Sequence, residues 1–417
     1  MRSRMSHDRR ARAARESVAD RVHGRHSAGM NDTVAVGDVL EMLDTTARTG
    51  LVRAAVNDDR AEIASWKSLA LNGLGAAAQV YRLWGAASVS GGTVPWSAVL
   101  KLFTLGSEGL QAASASPSSW DYWKREWHVY QAPWLADLRH GLVAPRCLGA
   151  GERRDVAWVA MEDLSALDCR PWSLDQFHVV ARHLGEFGGR FMTGAGIPAE
   201  PWLSTNWLWG WTARMDPVAL LSAARDDPLV QRVYSPTVTK ALGRLAEARE
   251  TILEALDTLP QTLCHRDLFP RNAFVRHMPS GVETVAIDWA FCGPGPIGSD
   301  VVSLVEASLS WFEADQAHGE ELEKLCLDGY LAGLRTAGWE GDPRDVHFGY
   351  LGSLVLRSAL GGVAPVVTIL RNQSLHPWLE RAFGSPVGDV ADNIGMTMSF
   401  VEPRIDVARR LAEQQLS

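Results

Sequence analysis

The sequence is poor in lysine, with five among 417 residues, whereas it has 17 tryptophans. It also lacks an uninterrupted apolar run of the roughly 18 residues that a membrane helix needs, because the stretch from Gly361 to Leu370 is short and contains Pro365. The formal net charge of −8 disfavours a nucleic-acid-binding protein, since such proteins are usually basic. We therefore expect neither a membrane nor a nucleic acid as a partner.

Cysteine is scarce as well, and the five cysteines stand in no metal-ligand spacing. They are Cys147, Cys169, Cys264, Cys292 and Cys326. An odd number of unpaired thiols is typical of a reducing compartment, where cysteines act as small apolar fillers. The sequence therefore predicts a cytoplasmic protein with buried thiols.

The N-terminal segment differs in composition from the rest of the chain. Residues 1–29 hold eight arginines and three acidic residues, a formal charge of 8 − 3 = +5. This segment lacks the apolar core of a secretion signal. We expect residues 1–30 to be a disordered basic leader, with a targeting or nucleic-acid-binding arm as the alternative, and two candidate start residues, Met1 and Met30, remain open.

Hydrophobic patterning divides the remainder into three parts. Residues 31–60 read as a helical N-terminal extension, and residues 61–161 contain short β-prone runs with a helix-like segment from Trp120 to Leu138. Residues 162–417 are mainly helical in pattern. The sequence therefore predicts an α+β protein with a small β-rich N-lobe, 61–161, and a larger helical C-lobe, 162–417.

Two helices of the C-lobe are well marked. One is expected over Leu174–Phe191, and a second begins where Ser235 can cap a helix whose first residue is Pro236. Apolar residues recur at helical spacing from there to Leu256, and Pro260 ends the pattern.

A polar turn between two β-prone runs carries the most informative motif. It reads His265-Arg266-Asp267-Leu268-Phe269-Pro270-Arg271-Asn272, and Asp288 follows on the next apolar strand. Phosphoryl transfer needs oxygen ligands for a divalent metal and a carboxylate that meets the incoming hydroxyl group. The ordered set of Asp267, Asn272 and Asp288 therefore indicates a phosphotransferase.

A phosphate-binding lysine is expected in the N-lobe, and Lys101 lies inside an apolar strand pattern from Ala98 to Phe103. A buried ammonium group needs paired anions, which a phosphate and a carboxylate would supply. Glu126, in a helix-like segment, is the favoured partner, and Glu108 is a rival.

A turn with two glycines, Gly73 and Gly75, precedes the strand of Lys101. Small residues there would let backbone amides approach phosphate oxygens, although this signal is weak in a chain with 37 glycines.

With these motifs, the chain resembles the aminoglycoside phosphotransferase and choline kinase-like family, which has a two-lobed protein kinase-like fold. The resemblance implies that Asp267 is the catalytic base and that Asn272 and Asp288 hold Mg²⁺. It also implies that Lys101 contacts the α- and β-phosphates of ATP or GTP and pairs with Glu126.

The same resemblance implies further roles outside the catalytic loop. Met161, Glu162 and Leu164 would form the hinge between the lobes, where backbone groups meet the purine. Asp300 would brace the catalytic loop. Arg271 stands where the family often has glycine; it either contacts phosphate or a substrate acid or is a solvated loop residue, and we favour the solvated interpretation.

The acceptor is left open by the sequence. A tryptophan cluster, Trp202 to Trp211, either packs helices together or lines an acceptor pocket. The function expected is transfer of the γ-phosphoryl group to a hydroxyl of an antibiotic, natural product or small metabolite. The alternatives are a catalytically silent kinase-like binding protein and a protein kinase, which the 11 residues between Asp288 and Asp300 disfavour.

Overall fold

The computed structural model describes residues 43–71, 78–105, 113–138, 141–153, 155–167, 170–213, 216–279 and 281–417. The chain divides into two units, residues 1–46 and 47–417. The predicted basic leader and most of the N-terminal extension lie outside the described residues. Of the extension, the structure shows one helix, α1 (Thr45–Val56).

A five-stranded antiparallel sheet lies within residues 62–162 of the larger unit. Its strands are β1 (Glu62–Leu71), β2 (Ala78–Val89), β3 (Gly92–Thr104), β5 (Cys147–Arg153) and β6 (Val156–Glu162), and their order in the sheet is β1-β2-β3-β6-β5. The turn between β2 and β3 contains Gly92 at φ +130°, a conformation that glycine adopts without strain.

The central position of β3 determines the surroundings of Lys101. This residue is paired with Val80 on β2 and with Val159 on β6. An edge-strand lysine would face solvent, whereas here neighbouring strands flank Lys101 on both sides. The ammonium group therefore depends on acidic partners for its stability.

The helix predicted from Trp120 to Leu138 is wrong as a single element. The structure has two short helices there, α2 (Arg125–Val129) and α3 (Pro133–Ala136). Pro133 has no backbone N–H to continue the hydrogen-bond ladder of α2, so it begins a new helix at its first position.

The remainder of the larger unit, from residue 174 onwards, is mainly helical. The helices are α4 (Leu174–Thr193), α5 (Trp207–Thr212), α6 (Pro217–Ala223), α7 (Pro228–Val233), α8 (Pro236–Glu247), α9 (Arg249–Asp257), α10 (Ser308–Ser310), α11 (Gly319–Thr336), α12 (Pro343–Leu354), α13 (Val363–Arg371), α14 (His376–Phe383) and α15 (Val387–Leu416). The π-helical turn Ser303–Ala307 precedes α10, and a second π-helical turn, Val355–Leu360, joins α12 to α13.

Helix α4 begins where the sequence predicts it. Ser173 and Gln176 form a reciprocal capping box at its N-terminus. Helices α4 and α11 pack closely because glycines remove side chains from their contact. A Cβ atom on Gly333 would lie 1.9 Å from the carbonyl oxygen of Arg182, and one on Gly185 would lie 2.0 Å from that of Tyr330.

The single helix expected between Pro236 and Leu256 is divided in the structure. Ser235 caps α8 as predicted, but the helix ends at Glu247 and α9 starts at Arg249. The break places the guanidinium group of Arg249 where it donates to the hydroxyl of Thr212, 2.9 Å away. The helical periodicity of the sequence cannot predict a break that depends on such a long-range contact.

Two small sheets at the centre hold the predicted catalytic turn. Strand β7 (Gln261–Cys264) pairs with β10 (Gly293–Pro296), and β9 (Gly281–Ala286) lies between β4 (Leu142–Val143) and β8 (Ala273–Met278). The turn connects β7 to β8, and Asp288 follows β9. The predicted α+β architecture, a β-sheet followed by a larger helical part, is confirmed.

Buried and exposed thiols occur together. Cys264, Cys292 and Cys326 are buried, whereas Cys147 is exposed, so the prediction of buried thiols is wrong for that residue. Cys169 lies outside the described residues.

One helical stretch, Pro343–Arg371, is long and apolar enough to cross a bilayer by length and composition. The protein buries 56% of its most apolar window, as it would bury a core helix. The absence of a membrane partner stays a prediction.

Candidate active site

Lys101 is held by two carboxylates from different parts of the chain. Its Nζ lies 2.5 Å from Oε2 of Glu126 on α2 and 3.1 Å from Oδ1 of Asp288. Burial alone would lower the pKa of Lys101, but the charges of Asp288 and Glu126 raise it above its ordinary value. The lysine is therefore cationic at neutral pH and suited to bind phosphate.

Glu126 is the partner that the sequence favoured, and its rival Glu108 lies outside the described residues. The side chain of Glu126 is buried. Burial raises its pKa to about 7, with Lys101 opposing this shift and Asp288 adding to it. The buried carboxylate of Glu126 therefore orients the side chain of Lys101 through this ion pair.

Asp288 follows β9 in a left-handed conformation, φ +63°. Burial would raise the pKa of Asp288, but the ammonium group of Lys101 holds it below its ordinary value. The carboxylate is therefore ionised while one of its oxygens contacts lysine.

The backbone of the catalytic turn is anchored by Asp300. The Asp300 carboxylate accepts from the backbone N–H of His265, at 2.9 Å, and from that of Arg266. Arg266 has φ +68°, a strained conformation for a non-glycine residue, and the carboxylate stabilises it. Burial raises the pKa of Asp300 to about 6, although these donors lower it. The contacts match the bracing role predicted for this residue.

His265 connects the catalytic turn to the strand that leads to Asp288. Its Nε2 lies 3.0 Å from the carbonyl oxygen of Ile287, and its Nδ1 lies 3.2 Å from the backbone nitrogen of Asp267. Burial lowers the pKa of His265 to about 4. A neutral ring that donates from Nε2 and accepts at Nδ1 satisfies both contacts.

Asp267 has both carboxylate oxygens in contact with donors. Oδ1 accepts from Nη2 of Arg357 at 2.9 Å, and Oδ2 accepts from Nδ2 of Asn272 at 2.9 Å. Burial raises the pKa of Asp267, and Arg357 acts against this shift. Asp267 has the chemistry and hydrogen-bonded orientation that a proton acceptor requires.

The predicted metal ligands present the atoms that Mg²⁺ prefers. Because the amide nitrogen of Asn272 is committed to Asp267, its amide oxygen is the atom left for a cation. Asp288 keeps one carboxylate oxygen besides the one at Lys101. Within the described ranges, no group of three or more His, Cys, Asp or Glu side chains is placed to hold a metal. Two protein ligands still fit Mg²⁺, which usually keeps waters and binds substrate phosphates.

The predicted hinge residues lie at the end of β6. Met161 and Leu164 are buried, and Glu162 pairs with Arg276 on β8. The role of their backbone groups in purine binding stays a prediction, and Gly73 and Gly75 lie outside the described residues.

The interpretation of Arg271 as a solvated residue is wrong. Its Nε lies 2.5 Å from Oε1 of Glu313, and its guanidinium group stacks 4.8 Å from the ring centroid of Trp311. A further N–H donates to the carbonyl of Ala382 at 2.8 Å. Arg271 therefore ties the catalytic turn to the C-terminal helices.

The tryptophan cluster packs mainly against protein groups. The ring of Trp202 stacks on His128 at 5.4 Å, and Trp207 stacks on Trp211 at 5.7 Å. A cavity beside Trp207 is also lined by Arg357. Whether the cluster contributes to the acceptor pocket stays open.

Two arginines that the sequence did not single out occupy central positions. Arg357 contacts Asp267 from 90 residues away in the chain. Arg125 is fully buried and donates to the carbonyl oxygens of Trp202, at 2.8 Å, and Ala290, at 2.9 Å. Arginine is common on helices, so neither position carried a signal that sequence patterns reveal.

Comparisons with known proteins give a family match and similar solved structures. A model of the phosphotransferase enzyme family (APH) matches residues 75–341. An aminoglycoside phosphotransferase from Alicyclobacillus acidocaldarius superposes with a TM-score of 0.50 at 12% identity, covering 94% of this chain and 99% of that one. A choline kinase from Cryptosporidium parvum gives 0.47 at 13% identity, with 90% and 100% covered. No curated protein matches the sequence at a significant level.

The family match spans well over half of the chain and includes Lys101, Asp267, Asn272 and Asp288. The resemblance and the kinase-like fold that the sequence indicated are both confirmed. The chain therefore belongs to the phosphotransferase enzyme family and is an enzyme that transfers phosphate to an alcohol group.

Proposed function

We propose that the protein is a small-molecule kinase that transfers the γ-phosphoryl group of ATP or GTP, with Mg²⁺, to a hydroxyl of an antibiotic, natural product or small metabolite. The observation that carries this proposal is the set of contacts around Lys101 and Asp267. Two carboxylates fix the lysine, and the charge of one of them, Asp288, raises the pKa of Asp267, which is hydrogen-bonded to Asn272. Phosphoryl transfer requires such a combination of groups.

In the proposed reaction the acceptor hydroxyl lies against Asp267, which takes its proton as the oxygen attacks the γ-phosphorus. A new P–O bond forms, the bond from the γ-phosphorus to the β–γ bridging oxygen breaks, and the nucleoside diphosphate leaves. Lys101 binds the α- and β-phosphates, while Asn272 and Asp288 supply oxygen ligands for Mg²⁺. Bound Mg²⁺ offsets negative charge on the phosphates.

The segment after Asp288 supports a small-molecule acceptor. Its residues form a tight turn, Trp289–Phe291, and strand β10, which is paired with β7. This connection leads directly to Asp300 and leaves no room for the activation loop of a protein kinase. A role in antibiotic resistance or natural-product biosynthesis, in the reducing cytoplasm, is part of the proposal.

The direct test mixes the protein with Mg-ATP or Mg-GTP and a panel of aminoglycosides, nucleoside antibiotics, amino alcohols and sugars. Mass spectrometry of the acceptors and release of nucleoside diphosphate report transfer. Nucleotide binding without any turnover across the panel would favour the silent binding protein instead.

Replacing the proposed base tests its role. Asp267→Asn removes the proton-accepting carboxylate while keeping its size, so we expect kcat to fall by at least about 10²-fold. The affinity for Mg–AMP-PNP, measured by calorimetry, should remain close to that of the wild type. Full activity of this variant would contradict the assignment.

A further inference from the structure

Arg357 approaches Asp267 from the helical part of the protein. Its Nη2 lies 2.9 Å from Oδ1, while the amide of Asn272 holds the other carboxylate oxygen. The side chains of Arg357 and Asp267 are only 16% and 22% exposed. Two elements that are distant in sequence thus fix the two oxygens of one carboxylate separately.

The guanidinium group of Arg357 is itself held in place. It donates to the carbonyl oxygen of Arg266 and stacks over the ring of Trp207, with 5.5 Å between its Cζ and the ring centroid. The indole of Trp211 donates to the backbone carbonyl of Arg357 at 2.9 Å. A charged group restrained on several sides loses little further freedom when it holds a partner.

The backbone around Arg357 adds a second observation. It lies in the π-helical turn Val355–Leu360, between α12 and α13. Such turns are rare in proteins overall, and those that occur frequently lie at functional sites. Glu306, in the other π-helical turn, lies close enough for the charge of Arg357 to oppose the rise in its pKa that burial causes.

We infer that Arg357 is a positioning residue for phosphoryl transfer, which holds the Asp267 carboxylate in the orientation that meets the acceptor hydroxyl. This inference rests on the proposed function, since it needs Asp267 to accept the proton. A misplacement of about 1 Å in such a group costs about 10²-fold in rate. The effect belongs to kcat, because the arginine acts through Asp267.

The experiment compares Arg357→Ala and Arg357→Lys with Arg404→Ala. Arg404 is a matched control, since its side chain is 15% exposed and pairs with Glu323 in the same helical part, away from Asp267. Release of phosphate from Mg-ATP, with water as the acceptor, is measured beside transfer to the acceptor that the panel identifies. Melting temperature and Mg–AMP-PNP affinity show that each variant is folded and binds nucleotide.

We expect Arg357→Ala to lose about 10²-fold in kcat at unchanged Mg–AMP-PNP affinity. Added ethylguanidinium, which has the same heavy atoms that this substitution removes, should restore part of this activity. Arg357→Lys, which keeps the charge but has a different donor geometry, should lie between alanine and wild type. Arg404→Ala should keep the wild-type kcat and show no response to ethylguanidinium.

Several results would overturn the inference. A folded Arg357→Ala with wild-type kcat would do so, as would a raised KM for the acceptor at unchanged kcat, which would make Arg357 a binding residue. If Arg357→Ala fails to fold, a wild-type kcat in folded Arg357→Lys would count equally against it. A wild-type protein that neither transfers nor hydrolyses would instead reject the proposed function, and this inference with it.

Discussion

Two carboxylates share the single ammonium group of Lys101, and this arrangement separates their tasks. Glu126 is buried, whereas the side chain of Asp288 is 34% exposed. Burial confines Glu126 to contacts within the protein, whereas the exposed part of Asp288 is open to a ligand. In the proposed function, Asp288 is therefore the residue that would contact both the lysine and the metal.

Asp288→Asn should separate metal binding from nucleotide binding. The amide is a weaker ligand than a carboxylate, so we expect the Mg²⁺-dependent part of AMP-PNP affinity to fall by at least about 10-fold. Calorimetric titrations with and without Mg²⁺ measure the difference. Asp328→Asn, which changes an exposed ion pair on α11, is the control. Equal Mg²⁺ dependence in Asp288→Asn and wild type would refute the metal-binding role.

At the scale of single residues, only part of the candidate site could be predicted from the sequence. The five-residue step from Asp267 to Asn272 is local, so the turn that joins them is visible in the sequence. Lys101 stands out because a lysine is unusual inside an apolar strand. Arg357 could not be found, since its contact depends on how a distant π-helical turn packs.

At the scale of elements, glycines determine how closely α4 and α11 approach each other. A side chain on Gly333 would meet backbone, which cannot rotate away as a flexible side chain does. The packing of α4 against α11 is therefore sensitive even to the addition of a single methyl group at these glycines.

Gly333→Ala should destabilise the protein by about 1–3 kcal/mol or more, because the added methyl group overlaps the carbonyl of Arg182. Gly243→Ala in α8 is the matched control, since its Cβ would have no neighbour within 4 Å. That change should stabilise by about 0.5–1 kcal/mol through helix propensity. Urea unfolding measures both, and equal effects would contradict the packing argument.

The element boundaries show where sequence patterns stop being informative. The start of α4 is determined by neighbouring residues, because Ser173 and Gln176 form hydrogen bonds with each other within one turn. The break between α8 and α9 at Ala248 is determined by distant residues, because Arg249 donates hydrogen bonds to residues of α5. Pro133 is an intermediate case, since proline predicts a helix start only once the surrounding segment is known to be helical.

For the whole molecule, burial of histidines links stability to pH. His183 on α4 is buried, with Nδ1 2.9 Å from the hydroxyl of Thr284 and Nε2 3.2 Å from Nη2 of Arg182. Burial, followed by the charge of Arg182, lowers the pKa of His183 to about 4. The unfolded chain binds this proton near pH 6.5, so stability falls as pH drops from 6.5 towards 4.

His183→Asn should remove this contribution while keeping a donor near Thr284. Between pH 7 and pH 4.5 the variant should lose about 2 kcal/mol less unfolding free energy than the wild type. Urea unfolding at the two pH values gives the comparison, in which the other titrating groups cancel. A variant that loses as much as the wild type would show that His183 is not the source.

The order of the β-rich and helical parts along the chain was predictable, since strand-like and helical periodicities occupy separate segments, 61–161 and 162–417. The three-stranded sheet was not, because β4 lies in the first of these segments and pairs in parallel with β9 from the second. Two residues of strand give too short a pattern to recognise.

Arg125 precedes Glu126 in α2, and its guanidinium group is bonded to backbone oxygens at residues 202 and 290. These hydrogen bonds therefore attach α2, the short helix that carries Glu126, to segments that lie much later in the chain. A kinase that is regulated by movement of the helix carrying this glutamate requires that the helix be free to move. Here these hydrogen bonds hold the helix in place, so we expect the lysine–glutamate pair to be formed before a nucleotide binds.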